Sequence, residues 1–416
     1  MPDTQSYRRP VWPVTVWALT RTVLLLSAFK VVVVPGPDVT SDVSVIYRGW
    51  YEVLRTGTYP LSDVTWQYPP GAALAVGAPA LLPFLGYAAA FFVLVCLCDA
   101  AVLALLLRAA RRPGGSARGG WVWVAGVPLL GTTAYARYDL MVTAVAVAAL
   151  LAGAARPRLM GALAAFGALL KVWPALLLVG TPRGAVTRRS WAAAAVTGLV
   201  LLLAACVTMP GALAFLTFQR DRGTEVESLG ALVFQVARHF GWSGTVLFSY
   251  GSVEFAGPYV PLVSAAALAL AALALVWLLL WRLRARTATD RTADAALTAV
   301  LLFTTTSRVI SPQYTLWLVG LAAVCLVGRT SVMACPAYLV LAATAVTQLE
   351  FPLLFSEVVA GTPLGVALLF VRNGLLVAAT LIACRRLWRA TVPGARAEPV
   401  APVSAASAGH RRASAR

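Results

Sequence analysis

The sequence predicts an all-α membrane protein that crosses the bilayer many times. Of its 416 residues, 60% are hydrophobic and only 12% are charged, and the apolar residues gather in long runs. A run of about 20 apolar residues spans the hydrocarbon core as a helix, because every backbone amide must find an internal partner there. The short alternating segments of a membrane β-barrel are not visible. A polytopic helical bundle is therefore the expected fold.

The basic residues indicate how this bundle is oriented. The net charge of +18 arises largely from arginines in the short connections and tail at 108–118, 156–158, 183–189, 282–291 and 385–396. Positive charge in short loops marks the cytoplasmic side, so both termini are predicted to be cytoplasmic and the protein to be a multi-pass protein of the plasma membrane. Contact with membrane lipids is expected. This placement of charge argues against a nucleic-acid partner.

Hydropathy predicts about 10–12 transmembrane helices. Two apolar pieces are irregular. The piece at 72–84 is too short to span and is predicted to be a half-helix. The piece at 159–180 has arginines at both ends and is predicted to be a re-entrant pair broken at Lys171-Val-Trp-Pro174. The regular spans are predicted near 14–34, 87–107, 121–136, 139–155, 191–208, 259–281, 295–310, 314–328, 332–349 and 363–384.

The chain is predicted to form a single transmembrane domain over residues 1–390. Two long outer loops, 35–71 and 209–258, interrupt it. Within the second loop, residues 226–240 have helical spacing, which fits either an amphipathic surface helix or a loop helix packed on the bundle. Residues 391–416 are rich in Ala, Pro, Ser and Arg and are predicted to be a disordered cytoplasmic tail.

Metal and thiol chemistry find little support in the sequence. The six cysteines lie in or beside apolar runs without metal-ligand spacing, and there are only two histidines. A histidine metal site or a histidine-based catalytic triad is therefore not expected. No cofactor is required, and assistance by a divalent metal stays open.

The first outer loop contains several acidic residues, which are energetically costly in a membrane protein. Asp42 follows the first span closely, so it is near the membrane surface but reachable by water. A carboxylate there can accept the proton of a sugar hydroxyl that attacks an anomeric carbon. Asp38 and Asp63 are alternatives for this role, or for orienting a donor or a metal. Each of the three acids can also be a solvated residue that caps a turn.

Several cations break the positive-inside pattern and therefore need a reason. Guanidinium groups bind phosphate in bidentate geometry, which suits a lipid-phosphate leaving group. The competing interpretation is simple pairing with neighbouring acids, such as Arg137 with Asp139. Lys171 stands inside an apolar stretch, where a charge indicates either function or snorkelling to the interface. The candidate phosphate-binding cations are Arg48, Arg137, Lys171, Arg222, Arg308 and Arg372.

Aromatic, carboxylate and amide side chains supply a second set of candidates. Tyrosine and tryptophan faces in the first loop can stack on sugar rings, although anchoring at the membrane interface is their commoner use. The predicted contacts to sugar or acceptor are Tyr47, Tyr68, Glu225, Glu227 and Gln313.

The order of these residues resembles glycosyltransferase family 87. The pattern Asp42…Tyr47…Gly57-Thr-Tyr-Pro60…Gln67-Tyr-Pro-Pro-Gly71 is similar to the first outer loop of that family, which has the glycosyltransferase-C fold. The resemblance extends from about 40 to 374 and includes actinobacterial polyprenyl-phosphate-mannose-dependent α-mannosyltransferases. Further matching stretches are Arg137-Tyr-Asp139, Lys171-Val-Trp-Pro174, Arg222-Gly-Thr-Glu-Val-Glu-Ser228, Ser311-Pro-Gln-Tyr314 and Arg372-Asn373.

The resemblance implies an inverting hexosyltransferase that takes a sugar, usually mannose, from a polyprenyl-phosphate donor. Its acceptor would be a glycolipid or a cell-envelope glycan, and its catalytic aspartate maps onto Asp42. The active site would lie on the extracytoplasmic side. A transporter or lipid flippase is the alternative, since it would explain the intramembrane charges Lys171 and Asp99. That alternative explains less well why acids and aromatic residues concentrate in one outer loop, and a scaffolding role explains the outer charges poorly.

Overall fold

The computed structural model describes residues 11–220, 222–286 and 291–394, and these residues form a helical bundle. The first loop enters its helix through a π-helical turn at Asp42–Tyr47. The helices are α1 (Val11–Ala28), α2 (Arg48–Leu54), α3 (Ala72–Gly77), α4 (Tyr87–Ala110), α5 (Arg118–Leu129), α6 (Asp139–Ala152), α7 (Pro157–Leu170), α8 (Ala185–Thr208), α9 (Phe215–Arg220), α10 (Ala231–Ala237), α11 (Val260–Arg284), α12 (Thr292–Thr305), α13 (Tyr314–Val327), α14 (Ala334–Gln348), α15 (Phe355–Ala360) and α16 (Pro363–Thr391).

Six of these helices are long and apolar enough to cross a bilayer, so the chain is a multi-pass membrane protein. Five shorter apolar helices accompany them. One of these, α13, is buried from Thr315 to Val327 and forms the centre of the bundle. It packs against α5, α6, α12 and α14. The long spans are Val11–Ala28, Tyr87–Ala110, Ala185–Thr208, Val260–Arg284, Ala334–Leu353 and Pro363–Thr391.

The two ends of the bundle differ in charge, as the sequence predicts. At one end the arginine-rich connections bind one another: Arg183 donates to the backbone carbonyl of Leu283 at 2.7 Å, and Arg329 donates to that of Gly115 at 3.0 Å. We call this the basic end. At the opposite end the two long loops meet, where Gln219 donates to the backbone carbonyl of Gln67 at 2.9 Å. We call this the cavity end. Successive long helices run between the two ends in alternate directions.

The predicted break at Lys171 is confirmed. Helix α7 starts at the basic end and stops at Leu170, and Lys171 adopts an extended conformation with φ −160° and ψ 131°. A 3₁₀ segment, Trp173–Gly180, then returns to the basic end, where Thr292 donates to the carbonyl of Gly180. Pro174 favours the break because it has no backbone N–H to continue the helix. Lys171 is thus held at the apex of a helical hairpin. The other irregular piece, 72–84, begins with the short helix α3, as expected of a half-helix.

A buried ion pair explains the intramembrane charge of Asp99. Its Oδ2 lies 2.8 Å from Arg21 Nε of α1, and both side chains are almost fully buried. Trp17, Trp123 and Tyr135 also donate to this carboxylate. Because a charge in this environment needs a charged partner and several hydrogen bonds, the group ties α1 to α4 and α5.

The second outer loop contains a small antiparallel sheet, which is not among the elements predicted from the sequence. Strands β1 (Thr224–Glu225) and β2 (Thr245–Ser249) pair with the two sides of β3 (Ser252–Ala256). Tyr250 and Gly251 connect β2 to β3 with φ values of 49° and 76°, as a type I′ hairpin requires.

The sheet shortens the helix predicted over 226–240, which begins at Ala231. The helix ends at Ala237. Its buried face packs Phe234 and Gln235 on the bundle, while Val233 and Val236 of the helix, and Phe240 in the 3₁₀ turn after it, are exposed. Only positions 391–394 of the predicted disordered tail are among the described residues, and the rest of that prediction lies outside them.

Candidate active site

Asp42 lines a large cavity at the cavity end. It begins the π-helical turn that leads into α2, and such turns occur often at functional sites. Its Oδ2 lies 2.6 Å from Arg137 Nη2, and its side chain is 29% exposed. The nearly buried Arg137 also donates to the carbonyls of Val39 and Ala136. The guanidinium therefore fixes the orientation of a carboxylate that water can still reach.

The cavity has a volume of about 420 Å³ and three kinds of lining. The first loop and the hairpin apex contribute aromatic and polar side chains. The connection between α12 and α13 contributes Arg308, Ser311 and Gln313. Helices α9, α11 and α12 contribute apolar side chains. Asp42 is the only acid among the described residues that line this cavity, whereas three lining residues are cations: Lys171, Arg222 and Arg308.

Arg222 and Arg308 lie next to each other at the cavity rim. Arg222 Nε is 3.3 Å from Glu254 Oε1, and Arg308 donates to the carbonyls of Arg222 and Gln219 at 2.7 and 2.9 Å. Burial, and secondly the charge of Arg222, lower the pKa of the Arg308 guanidinium. A bound anion would relieve this repulsion, so the pair is suited to a phosphate group.

Lys171 is the third cation of the cavity, and an ion pair and several aromatic contacts fix its position. Its Nζ lies 2.7 Å from Asp139 Oδ1, which also accepts a 2.6 Å hydrogen bond from the indole N–H of Trp317. The observed pairing corrects the alternative in which Asp139 pairs with Arg137. Four aromatic rings lie 5.0–5.4 Å from the ammonium group, and they belong to Tyr68, Tyr138, Tyr314 and Trp317.

The ion pair of Lys171 and Asp139 gives a stability prediction. Lys171→Met should cost about 3–5 kcal/mol, because it leaves the buried carboxylate of Asp139 without its cation. The double variant Lys171→Met/Asp139→Asn should recover most of this loss, since it leaves no buried charge. Lys30→Met is the matched control: its pair with Asp38 is exposed and should contribute about 0–1 kcal/mol. Thermal unfolding in detergent measures all three, and equal melting temperatures for the single and double variants would contradict the prediction.

Stacked aromatic rings form two walls of the cavity. Trp173 and Trp317 are stacked with centroids 5.3 Å apart, and Tyr314 also stacks on Trp317 with centroids 4.0 Å apart. On the first loop, Tyr47 stacks on Trp50 at 5.4 Å. Trp173, Trp317, Tyr47 and Trp50 are buried against one another, so the ring surface that a sugar could reach belongs to the partly exposed Tyr68 and Tyr314.

Several predicted site residues meet in this cavity. Arg137 is not part of the cavity lining but contacts Asp42 directly. The predicted residues that line the cavity are Asp42, Tyr47, Tyr68, Lys171, Arg222, Arg308 and Gln313.

Asp38 and Asp63 lie outside the cavity and cap turns of the first loop. Asp38 accepts hydrogen bonds from Lys30 and Thr40. Partial burial raises the pKa of Asp38, but these hydrogen bonds outweigh it and lower the pKa overall. Asp63 behaves similarly, with Trp50 and Thr65 as donors. Neither Asp38 nor Asp63 is among the described residues that line the cavity, whereas Asp42 is.

Arg48 and Arg372 are not brought to the cavity either. Arg48 is exposed on α2. Arg372 is buried in α16, where Glu350 binds it through two hydrogen bonds of 2.6 and 3.0 Å and Glu227 lies 3.5 Å away. These acids neutralise the guanidinium, which leaves it unsuited to hold a substrate phosphate.

Glu225 and Glu227, predicted to contact sugar, instead lie behind the cavity rim. Glu225 accepts hydrogen bonds from the backbone N–H of Ile310 at 2.7 Å and from Ser311 Oγ at 3.0 Å. Burial, and secondly the charge of Glu350, raise the pKa of Glu227 well above its usual value. Glu225 therefore holds the rim segment 308–311 in place, whereas Glu227 belongs to the buried cluster of Arg372 and Glu350, and neither acid is among the described residues that line the cavity.

Four residues around the site are not predicted from the sequence: Trp173, Trp317, Tyr314 and Asp139. Tyr314, Trp173 and Asp139 stand within the quoted motifs, but no local signal shows that they surround Lys171. Trp317 follows Tyr314 by three residues, which places both on one helix face and could have suggested a shared site. Among the described residues, no three His, Cys, Asp or Glu side chains lie close enough together to hold a metal ion.

Comparisons with known proteins identify the relatives of this chain. The sequence profile described as Glycosyltransferase family 87 matches residues 66–312. Together with the helical bundle, this match confirms an all-α polytopic membrane glycosyltransferase of the family that the motifs resemble, and it favours an enzyme over a transporter or flippase. A solved structure, ArnT from Cupriavidus metallidurans bound to undecaprenyl phosphate, is 15% identical with a TM-score of 0.45, covering 91% of this chain and 77% of that one. No curated protein matches the chain significantly in sequence.

Proposed function

Since the chain belongs to glycosyltransferase family 87 and is a multi-pass membrane glycosyltransferase, we propose that it transfers a hexose from a polyprenyl-phosphate donor. The proposed sugar is mannose, and the proposed acceptor is a hydroxyl of a glycolipid or cell-envelope glycan. The single observation that carries this proposal is the composition of the cavity: one carboxylate, Asp42, lines it together with three cations and several aromatic rings.

The cations define the proposed position of the donor phosphate. Lys171, Arg222 and Arg308 line the cavity. Lys171 and Arg222 also pair with Asp139 and Glu254 behind it, whereas the hydrogen bonds of Arg308 go to backbone carbonyls. The phosphate of the leaving lipid gains negative charge as its bond to the sugar breaks. Fixed cations in a cavity with little water stabilise that charge strongly, typically by about 3–4 kcal/mol for one well-placed donor.

The apolar part of the cavity supports a lipid-linked donor. Leu268 and Ala271 lie two to three turns into α11, and Phe303 lies near the end of α12. Together with Phe215 and Leu216 of α9, they extend the cavity from the cations toward the lipid-facing side of α11, where Leu268 is exposed. A soluble nucleotide-sugar would have no use for such a surface, whereas a polyprenyl tail would be stabilised by its burial.

In the proposed reaction, Asp42 accepts the proton of the acceptor hydroxyl as its oxygen attacks the anomeric carbon. The new C–O bond forms while the bond between that carbon and the phosphate oxygen breaks. Polyprenyl phosphate leaves with the bonding electrons, and its charge is bound by Arg222, Arg308 and Lys171. A single displacement of this kind inverts the anomeric configuration. The step requires no cofactor, since the chain supplies both the base and the cations.

The proposed orientation places the cavity outside the cytoplasm and the basic end inside it. The arginine-rich connections gather at one end and the cavity at the other, which supports this orientation. In a plasma membrane the enzyme would then act on lipid-linked sugars at the outer face. The predicted cytoplasmic position of both termini belongs to the same proposal.

A donor comparison tests the proposed substrate class. Full-length protein in lipid nanodiscs would receive radiolabelled polyprenyl-phosphate-mannose, polyprenyl-phosphate-glucose or GDP-mannose together with a crude glycolipid extract. We expect label to move from the lipid-linked mannose and not from GDP-mannose. Transfer from the glucose donor alone would replace mannose as the sugar. Transfer from GDP-mannose without a lipid intermediate would contradict the polyprenyl donor.

A further inference from the structure

A second cavity, of about 360 Å³, lies at the basic end between α1 and α4, far along α4 from the active site. Its α4 wall is one stripe of the helix, because Ala100, Leu103, Ala104, Leu107, Arg108 and Arg111 recur at helical spacing. The stripe covers about 16 Å of helix. Val14 and Trp17 of α1 form the opposite wall.

This groove, defined by those eight residues, changes chemistry along its length. From Ala100 to Leu107 it is apolar, and the last turn and C-cap of α4 then contribute the exposed side chains of Arg108 and Arg111. The indole N–H of Trp17 already binds Asp99, so the groove receives the apolar part of the ring. A groove that is apolar at one end and cationic at the other is complementary to an anionic amphiphile, which has an apolar tail and a negatively charged head group.

The charges of Arg108 and Arg111 are available to a ligand. The ion pairs found among the described residues include neither of them. The nearest buried acid of α4, Asp99, is bound by Arg21. The C-terminus of α4 carries only about half a negative charge, which two guanidinium groups exceed. The end of the groove therefore attracts an anion.

We propose that this groove binds an anionic phospholipid, with an acyl chain against Leu103, Leu107 and Trp17 and the phosphate between Arg108 and Arg111. The site is separate from the proposed donor cavity and does not depend on the glycosyltransferase reaction. It would anchor the otherwise loosely packed start of α1 to α4. Its lipid comes from the leaflet at the basic end, where short arginine-rich loops also face the head groups.

The test is native mass spectrometry of the detergent-purified full-length protein titrated with dioleoyl phosphatidylglycerol or dioleoyl phosphatidylcholine. Arg108→Ala/Arg111→Ala should weaken phosphatidylglycerol binding about 25-fold, since each arginine near a membrane surface contributes about fivefold. Ala104→Trp, at an exposed position of the stripe, should block the groove while both arginines stay in place. The matched control is Arg188→Ala/Arg189→Ala, an exposed arginine pair of α8 that is remote from the groove.

Both groove variants are expected to lose binding of phosphatidylglycerol. The Arg188/Arg189 control should bind phosphatidylglycerol as the unmodified protein does, and binding of phosphatidylcholine should not change in any variant. Equal weakening in the Arg188/Arg189 control would reduce the effect to general surface charge and overturn the proposal. Equally tight phosphatidylcholine binding by the unmodified protein would overturn the anionic specificity. If deletion of residues 2–10 raised lipid affinity at the groove, the occupant would be the N-terminal segment of the chain itself, which would also overturn the proposal.

Discussion

Asp42→Asn should lower kcat roughly 10²–10⁴-fold, because it removes the proposed base while leaving the size of the side chain unchanged. Donor binding should change little, since the phosphate is bound by the cations of the cavity and not by Asp42. The two effects are separable by measuring transfer under saturating donor and, independently, the equilibrium binding of the labelled donor. A variant that kept full kcat would remove Asp42 from the mechanism.

Two further variants make the Asp42 result specific. Asp38→Asn is the matched control: it removes another carboxylate of the first loop, one that lies outside the cavity and pairs with Lys30. Its activity should stay close to that of the unmodified enzyme. Because Asp42→Asn leaves Arg137 without its acid, Asp42→Asn/Arg137→Gln should also be inactive. If this double variant regained activity, the loss in the single variant would reflect the unpaired charge of Arg137 and not a missing base.

Arg308→Gln should lower kcat/KM about 10²–10³-fold, the usual cost of losing one donor to a developing anion in an enclosed site. The loss should appear in kcat as well as in the KM for donor, because the phosphate gains charge in the transition state. Steady-state transfer at varied concentrations of polyprenyl-phosphate-mannose provides both constants. A change in KM alone would mean that Arg308 binds ground state and transition state equally.

Arg238→Gln controls for the structural part of that loss. Like that of Arg308, the guanidinium of Arg238 is partly buried. Arg238 lies in the second outer loop and donates to the backbone carbonyl of Val359 at 2.7 Å. It does not belong to the cavity lining among the described residues. Equal loss of activity in the Arg238 and Arg308 variants would indicate damage to the outer loops and would contradict a role of Arg308 in phosphate binding.

The sequence was sufficient to predict the membrane architecture because the bilayer imposes strong, local rules. Length and hydropathy located the long helices, and the arginines identified the connections that meet at the basic end. The break at Lys171 was predictable because a proline and a lysine interrupt an apolar run. The hairpin of β2 and β3 was missed, although Tyr250-Gly251 between two runs of β-branched and aromatic residues is a turn signal.

The side-chain partners within the site could not be predicted in the same way. Asp139 and Lys171 are 32 residues apart, and Trp317 is 178 residues from Asp139. Only the packing of α6, the hairpin apex and α13 brings the three together. Proximity in sequence instead suggested the pair of Arg137 with Asp139. The motif likewise did not indicate that Glu225 supports the rim from behind or that Glu227 pairs with Arg372.

The anomeric configuration of the product tests the central claim most directly. Product formed from polyprenyl-phosphate-mannose by the full-length enzyme would be isolated, and the configuration of its new glycosidic bond compared with that of the donor by NMR. Inversion is expected, since Asp42 acts as a base in a single displacement. Retention would require a covalent or equivalent double displacement, would make a carboxylate the nucleophile, and would contradict the assignment of Asp42 as general base.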